Sequence, residues 1–149
     1  MITYDAILDL QTALSCDWGD ACTPCVGTAP TVDLVWDKKV VGFDGDVSER
    51  IIITPLTETI DPFDLFGKAH WHELAVKIDV RTYQSGGITR QNIVVKEVSR
   101  ILKNIIRRNV QGFLQVIITK SETRNQDYRN MFRHLIDLKY QDAQTHTFV

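Results

Sequence analysis

The chain has 149 residues, of which 44% are hydrophobic and 24% charged, with a formal net charge of −2. This length and composition predict one globular domain over 1–149 with its own apolar core, and the small net charge gives the whole molecule no bias toward nucleic acid or membrane. No apolar run reaches about 18 residues, and the acidic start lacks the basic leader of a signal peptide. We therefore expect synthesis in the cytosol and no contact with a membrane.

The charged residues are unevenly distributed along the chain. Residues 1–65 contain twelve acids and three bases, whereas residues 66–149 contain seven acids and fourteen bases. A split of this kind can mark a protein with two unlike contact surfaces. The alternative is that folding interleaves the halves and mixes their charges on one surface.

In the first half, helical spacing of apolar residues predicts a short amphipathic helix over 3–14, followed by a loop. Segments 31–36 and 50–56 are rich in β-branched residues and predict two strands. The Asp44-Gly45 turn signal between them favours a β-hairpin with a long connection. Residues 57–72 contain Pro, Gly and Asp and predict a second loop, although its many apolar side chains are unusual for an idle surface loop.

In the second half, the clearest strand follows that loop. Its apolar and polar side chains alternate strictly, which predicts one face on the core and one polar face. The apolar set is Leu74, Val76, Ile78 and Val80, and the polar set is Lys77, Asp79 and Arg81. The longest helix is predicted over 89–109, and two more strands over 113–120 and 131–140, with a loose tail from 142.

The predicted element order is α-β-β-β-α-β-β. Antiparallel runs interrupted by two helices indicate an α+β fold. We expect a mostly antiparallel sheet of four to five strands with both helices packed on one face. The apolar strand positions should lie against Val98, Ile101 and Ile105 of the long helix.

The three cysteines are the most conspicuous candidates for a metal site. Cys22 and Cys25 form one CxxC pair near Cys16, but structural zinc sites usually combine two such pairs. His70 and His72 would share one side of a strand, with Glu73 turned away and no ready third ligand. We therefore expect no metal and plain loop thiols. Phosphate-binding glycine motifs and catalytic elbow motifs are missing from the sequence, so no cofactor and no enzymatic activity are predicted.

A basic stripe runs along the long helix, opposite to its apolar face. It consists of Lys96, Arg100, Lys103 and Arg107. Such a stripe could contact phosphates without sequence specificity. Alternatively, the stripe could face solvent or dock on an acidic neighbouring protein. We rank these two interpretations above contact with DNA.

The order of elements resembles that of small tail-terminator and tail-completion (neck) proteins of long-tailed phages and related viruses. The resemblance covers most of residues 1–140. It lies in the polar-faced strand ELAVKIDVRTY, the helix NIVVKEVSRILKNIIRR and the strands FLQVIITK and FRHLIDLKY. It is one of pattern and order and includes no invariant motif.

The resemblance implies a virion protein of the tail or neck that forms a ring, typically a hexamer, which caps the tail tube and joins it to the head connector. Its partners would be its own copies, the tail tube protein and a head connector or head-completion protein, with DNA passing through the ring. The two charge halves could supply the unlike surfaces that a head-to-tail ring needs. The apolar loop 60–71 is the predicted subunit contact. Its anchors are Phe63, Leu65, Phe66 and Trp71.

Three classes of function remain open at this point. The first is the assembly ring, or another head–tail connector or neck protein of similar build. The second is a small nucleic-acid-binding module that uses the basic helix face. The third is a small enzyme, which would require a pocket with converging titratable groups.

Overall fold

The computed structural model describes residues 2–19, 27–34, 49–62, 69–83, 87–108, 115–123 and 131–145. Within them lie two helices and five strands. In chain order these are α1 (Ile2–Cys16), β1 (Thr31–Leu34), β2 (Arg50–Pro62), β3 (Ala69–Tyr83), α2 (Gly87–Arg108), β4 (Gln115–Thr123) and β5 (Met131–Thr145). Neither of these helices is long and apolar enough to cross a membrane.

The five strands form one sheet in the order β1-β2-β3-β5-β4. Three of the four strand pairs are antiparallel, and the pair β1–β2 is parallel. Both helices contribute to the apolar core on one face of this sheet. The predicted α+β class, the element order and the one-sided packing of the helices are therefore confirmed.

The predicted hairpin between the first two strands is wrong. β1 runs parallel to β2, with Thr31 opposite Arg50 and Leu34 opposite Ile53. Parallel neighbours need a crossover of about a dozen residues or more, whereas a hairpin reverses the chain directly. Segment 35–48 is long enough for such a crossover. The Asp44-Gly45 turn signal lies within it, outside the described residues.

The predicted loop 57–72 is wrong at both ends. β2 continues to Pro62 and β3 already begins at Ala69, so only residues 63–68 lie between them. The predicted loose tail is also wrong in part, since β5 runs to Thr145. These ends pair with one another, because β3 lies between β2 and β5 from His70 to Arg81. Pairing with β3 thus extends β2 and β5 through segments whose Pro and Asp content favours loops.

The core contains the predicted contacts between β3 and the long helix. Leu74, Val76, Ile78 and Val80 are buried in the same apolar cluster as Val98, Ile101 and Ile105. α1 adds its own apolar stripe to this cluster. That stripe consists of Ala6, Ile7, Leu10 and Leu14. The apolar face of β3, formed by every second residue, thus packs against the apolar face of α2, formed by residues at helical spacing.

Two polar contacts, of which the first is fully buried, fix α2 against the rest of the fold. Near its start, Thr82 Oγ1 donates to Gln91 Oε1 at 2.5 Å, and both side chains are buried. Farther along, Arg100 Nη2 donates to the carbonyl oxygen of Asp17 at 2.7 Å and its guanidinium also contacts the buried Glu97 carboxylate. These bonds tie the helix to β3 and to the end of α1.

Arg90 holds together segments that are distant in sequence. Its Nε and Nη2 donate to the two carboxylate oxygens of Glu49, each at 2.7 Å, and Nη2 also reaches the carbonyl of Thr28 at 2.7 Å. Gly27 adjoins this contact with a positive φ of 67°, and a Cβ there would lie 3.3 Å from the guanidinium. A glycine therefore suits the position both for its backbone conformation and for the space that Arg90 occupies.

Candidate interaction surfaces

Both edges of the sheet have stretches without a neighbouring strand among the described residues. β4 is the last strand on one side, and no described strand flanks its outer edge. On the other side, β1 pairs only with Arg50–Ile53, so residues 54–62 of β2 also lack a described neighbour beyond β3. β1 itself is short, and Gln11 Nε2 of α1 donates to its Val32 carbonyl at 3.4 Å. Short or covered edges resist pairing with other chains, whereas long open ones invite it.

The exposed large apolar residues lie mainly on these two edges. Leu56 and Ile60 belong to the open part of β2, and Ile117 and Ile118 belong to β4; with Ile88 at the start of α2, they have relative exposures of 36–55%. Single exposed apolar residues are ordinary, but groups of them commonly mark contact surfaces. The sequence did not single out these residues, because their exposure depends on where the sheet ends.

Among the described residues, the strands of the acidic half and those of the basic half occupy different sides of the sheet. β1 and β2, from the acidic half, form one side of the sheet, and β3, β5 and β4 form the other. α1 packs over β1, while α2 packs over β3, β4 and β5. In the described part of the chain, the two halves therefore lie next to each other and do not interleave. This arrangement is the one expected of a subunit with two unlike contact surfaces.

The polar face of the sheet holds a buried ionic cluster. The Asp79 side chain, 9% exposed, accepts hydrogen bonds from Arg81 Nε at 2.8 Å and from Arg133 Nη2 at 2.8 Å. The sequence placed Asp79 and Arg81 on the polar face correctly, but it did not predict the contact of Asp79 with Arg133 on the neighbouring strand. This cluster links β3 to β5 and leaves Asp79 with two cationic donors.

Trp71, one of the four predicted anchors, lies within β3 and is half-buried. Its Nε1 donates to Glu73 Oε1 at 2.8 Å, and Gln141 Nε2 donates to the same oxygen at 2.9 Å. These donors, led by Trp71 and assisted by Lys139, hold the pKa of Glu73 below its usual range. The other anchors, Phe63, Leu65 and Phe66, lie outside the described residues.

The basic stripe of α2 is partly engaged within the chain. Lys96 and Lys103 are exposed, whereas Arg100 is half-buried by its contacts with Glu97 and Asp17. Arg107 belongs to the helix, but its side chain is outside the described set. The structure thus presents Lys96 and Lys103, seven residues apart on one face, as open cations, while Arg100 joins the two helices.

His70 and His72 lie on the same side of β3, as alternation predicted. Their own strand offers no third ligand, but Glu58 of β2 provides a carboxylate, with 2.6 Å between its Oε1 and His72 Nε2. Among the described residues, no set of three His, Cys, Asp or Glu side chains is arranged to hold a metal ion. Cys16 is exposed at the end of α1, and Cys22 and Cys25 lie outside the described ranges.

His134 connects β5 to the open strand β4. Its Nε2 lies 2.6 Å from Ser121 Oγ, and its Nδ1 lies 3.2 Å from Thr123 Oγ1. In the neutral ring one nitrogen donates and the other accepts, so both hydroxyls can be satisfied. Burial lowers the pKa of His134 below its usual value of 6.5.

We expect His134 to make stability depend on pH. Because its pKa is lower in the folded state, the unfolded chain binds the proton first, and the free energy of unfolding falls as the pH drops through about 6.5. His134→Gln should reduce the fall in melting temperature between pH 7.5 and 5.5, a window above the titration of Glu73. Thermal melts at both pH values measure this effect, and equal pH dependence of the two proteins would contradict it.

Comparisons with known proteins identify no family for this chain. A scan against protein-family models gave no match, and a search of curated proteins gave none. Among solved structures, the chain is similar to one from the virion of a native gene transfer agent particle, with 16% sequence identity and a TM-score of 0.49. The alignment covers 81% of this chain and 83% of that chain. At this identity and score, the likeness assigns neither a family nor a function.

Proposed function

We propose that the protein is a tail terminator of a long-tailed virus or related particle. In this role its copies form a ring, typically a hexamer, that caps the tail tube and joins it to the head connector. The observation that carries the proposal is the order α-β-β-β-α-β-β, with both described helices on one face of a mostly antiparallel sheet. This is the pattern on which the resemblance to tail-terminator and tail-completion proteins rests.

The separation of the two charge halves supports a head-to-tail arrangement. A ring built from identical chains needs two different surfaces on each subunit, one complementary to the other. One side of the fold carries α1, β1 and β2 from the acidic half, and the other carries α2, β3, β5 and β4 from the basic half. Adjacent subunits can therefore bring unlike sides together.

The proposed apolar anchors of the subunit contact are Phe63, Leu65, Phe66 and Trp71. Buried aromatic anchors often contribute at least about 2 kcal/mol each to an interface, whereas exposed ion pairs contribute about 0–1 kcal/mol. The aromatics should therefore set the affinity. The exposed Lys96 and Lys103 would set orientation and salt sensitivity toward a neighbour, the tail tube protein, a head connector or DNA in the lumen.

Replacing Phe63 and Phe66 together by Ser should yield folded monomers where the parent protein forms rings. Light scattering coupled to size exclusion measures the mass, and circular dichroism checks the fold. Lys96→Glu with Lys103→Glu is the matched control with two changed residues. This charge variant should weaken assembly less than the Phe63/Phe66 variant does. Its effect should be larger at low salt than at high salt. Rings that persist unchanged in the Phe63/Phe66 variant would exclude these aromatics as the anchors.

A nucleic-acid-binding module is the second candidate, favoured by the two exposed lysines on one face of α2. A monomer that binds duplex DNA, with affinity falling steeply as salt rises and weakened by Lys96→Glu, would support it. A particle of several subunits that binds purified tail tubes would support the terminator. Binding to head connectors without tubes would instead indicate another neck protein.

A further inference from the structure

We infer that neighbouring subunits join edge to edge, with β4 of one copy pairing antiparallel with the open part of β2 in the next copy. The sheet would then continue from subunit to subunit around the assembly. This inference rests on the proposed ring and names the surface and the partner, which is a second copy of the same chain.

The first support is the state of the two edges. Residues 54–62 of β2 and residues 115–123 of β4 lie on opposite sides of the sheet, and no described strand flanks either of them. Each such edge offers backbone N–H and C=O groups to an incoming strand. A single subunit cannot join these edges to each other, because β3 and β5 separate them, whereas a second copy supplies the missing partner for both.

The second support is the distribution of exposed apolar side chains. Four of the five large ones in the described part of the chain lie on these edges: Leu56 and Ile60 on one, Ile117 and Ile118 on the other. Pairing β4 with β4 of another copy would cover only one edge and leave Leu56 and Ile60 exposed. Pairing β4 with β2 covers both sets, and repeated around a ring it leaves no subunit with an open edge.

The third support is strand direction. β2 is antiparallel to β3, β3 to β5, and β5 to β4, so β2 and β4 run in opposite directions within one subunit. If successive copies keep the same orientation around a ring, β4 meets the next β2 as an antiparallel strand. That pairing matches most of the sheet and is slightly more stable per residue than a parallel one.

The fourth support is that the regular stretches of both edges lie at the same height in the sheet. Thr57 is opposite Ala75, Ala75 is opposite Lys139, and Lys139 is opposite Ile117. Irregularities at Pro55/Thr57 and Ile118/Lys120 bound the regular stretches 57–61 and 115–118. Neighbouring subunits can therefore meet with little shift along the strand direction, and the two bulges confine pairing to these stretches.

Charge does not oppose the contact. The open stretch of β2 contains Glu58 and Asp61 and no base, whereas β4 carries Lys120 with Glu122 at 3.3 Å. One edge is thus acidic and the other neutral, so like charges do not face each other in the pair. Repulsion between charged edge strands, which prevents pairing in many proteins, is therefore absent from this contact. Two copies of the β2 edge would repel, which favours the unlike pair.

Disulfide trapping tests the contact directly. In a background with Cys16, Cys22 and Cys25 replaced by Ser, Thr57→Cys and Ile117→Cys are combined and the protein is oxidised. Directly opposite residues in antiparallel strands bring their Cβ atoms within about 4.5–5.5 Å, which slight strand movement closes to a disulfide. We expect a ladder of covalent oligomers that ends at the size of the ring. Thr59→Cys in place of Thr57→Cys tests a shift by two residues on the same face.

The single variants are the matched controls and should remain uncrosslinked. Dimers from Ile117→Cys alone would indicate pairing of β4 with itself and overturn the inference. Rings seen by light scattering that give no crosslink with either pair would overturn it while leaving the proposed function intact. A parent protein that stays monomeric at every concentration, alone and with tail tubes, would overturn both.

A second measurement does not depend on crosslinking. Ile117→Lys with Ile118→Lys should convert rings to folded monomers, because charged side chains on an edge block strand addition. The particle mass should fall by a factor equal to the number of subunits in the ring. Ile88→Lys, which changes an equally exposed isoleucine at the start of α2, should leave the rings whole. Intact rings in the β4 variant, or equal loss in both variants, would contradict the inference.

Discussion

Replacing Asp79 by Ala is expected to lower the free energy of unfolding by about 3–5 kcal/mol, the range for removing one partner of a buried ion pair. The reason is that the Asp79 carboxylate serves two guanidinium groups, those of Arg81 and Arg133, on adjacent strands. Without it, two cations remain close together in a poorly solvated place. The value should lie toward the lower end, since the Arg133 side chain is 20% exposed and retains water.

Urea unfolding with a two-state fit measures this loss. Lys139→Ala is the control on the same face, because its contact with Glu73 at 3.6 Å is partly exposed and should be worth about 0–1 kcal/mol. Changing all three charged residues together, with Asp79→Leu, Arg81→Met and Arg133→Met, should recover most of the stability. A loss below about 1 kcal/mol for Asp79→Ala would mean that the cluster is dispensable.

Replacing Ile101 by Ala is expected to cost about 2–5 kcal/mol of stability. Ile101 is fully buried in the cluster shared by β3, α2 and α1. The change removes apolar contacts and leaves a cavity that the surrounding helices and sheet can close only in part. The melting temperature should fall by several degrees, because about 1 kcal/mol shifts it by roughly 2–4 °C in a chain of this size.

Ile88→Ala is the matched control, because it makes the same chemical change at an exposed position of the same helix. It should alter stability by less than about 0.5 kcal/mol. The difference between the stability changes of the two variants then separates the effect of burial from that of helix propensity. Equal melting curves for Ile101→Ala and the parent protein would contradict the assignment of the core.

Much of the fold could be predicted because two segments carry strong periodicity. In β3, Val76 and Ile78 alternate with Lys77 and Asp79, and in α2, Val94, Val98 and Ile101 recur at helical spacing. Each pattern identifies its element and its buried face without reference to the rest of the chain. The α+β class followed from their order.

The missed parts of the fold depended on partners elsewhere in the chain. Residues 57–62 extend β2 because β3 pairs with them, and residues 142–145 extend β5 because β3 pairs with them on its other side. The parallel direction of β1 was missed for a related reason, since a long connection permits either direction.

The candidate surfaces were predictable only in part. The basic stripe of α2 was visible as spacing, but the engagement of Arg100 by Asp17 joins residues far apart in sequence. The open edges at Ile60 and Ile117 were not visible, because a β-branched residue looks the same in a central strand and in an edge strand.

Local sequence patterns predict the elements with strong periodicity, their buried faces and the division into an acidic and a basic half. Those properties are local or compositional, so they do not depend on what packs nearby. Such patterns do not reveal the order of strands, the direction of β1, the burial of Asp79 or the identity of the edges. These depend on which segments become neighbours, and the free energy of strand pairing and core packing, summed over the whole chain, sets that choice.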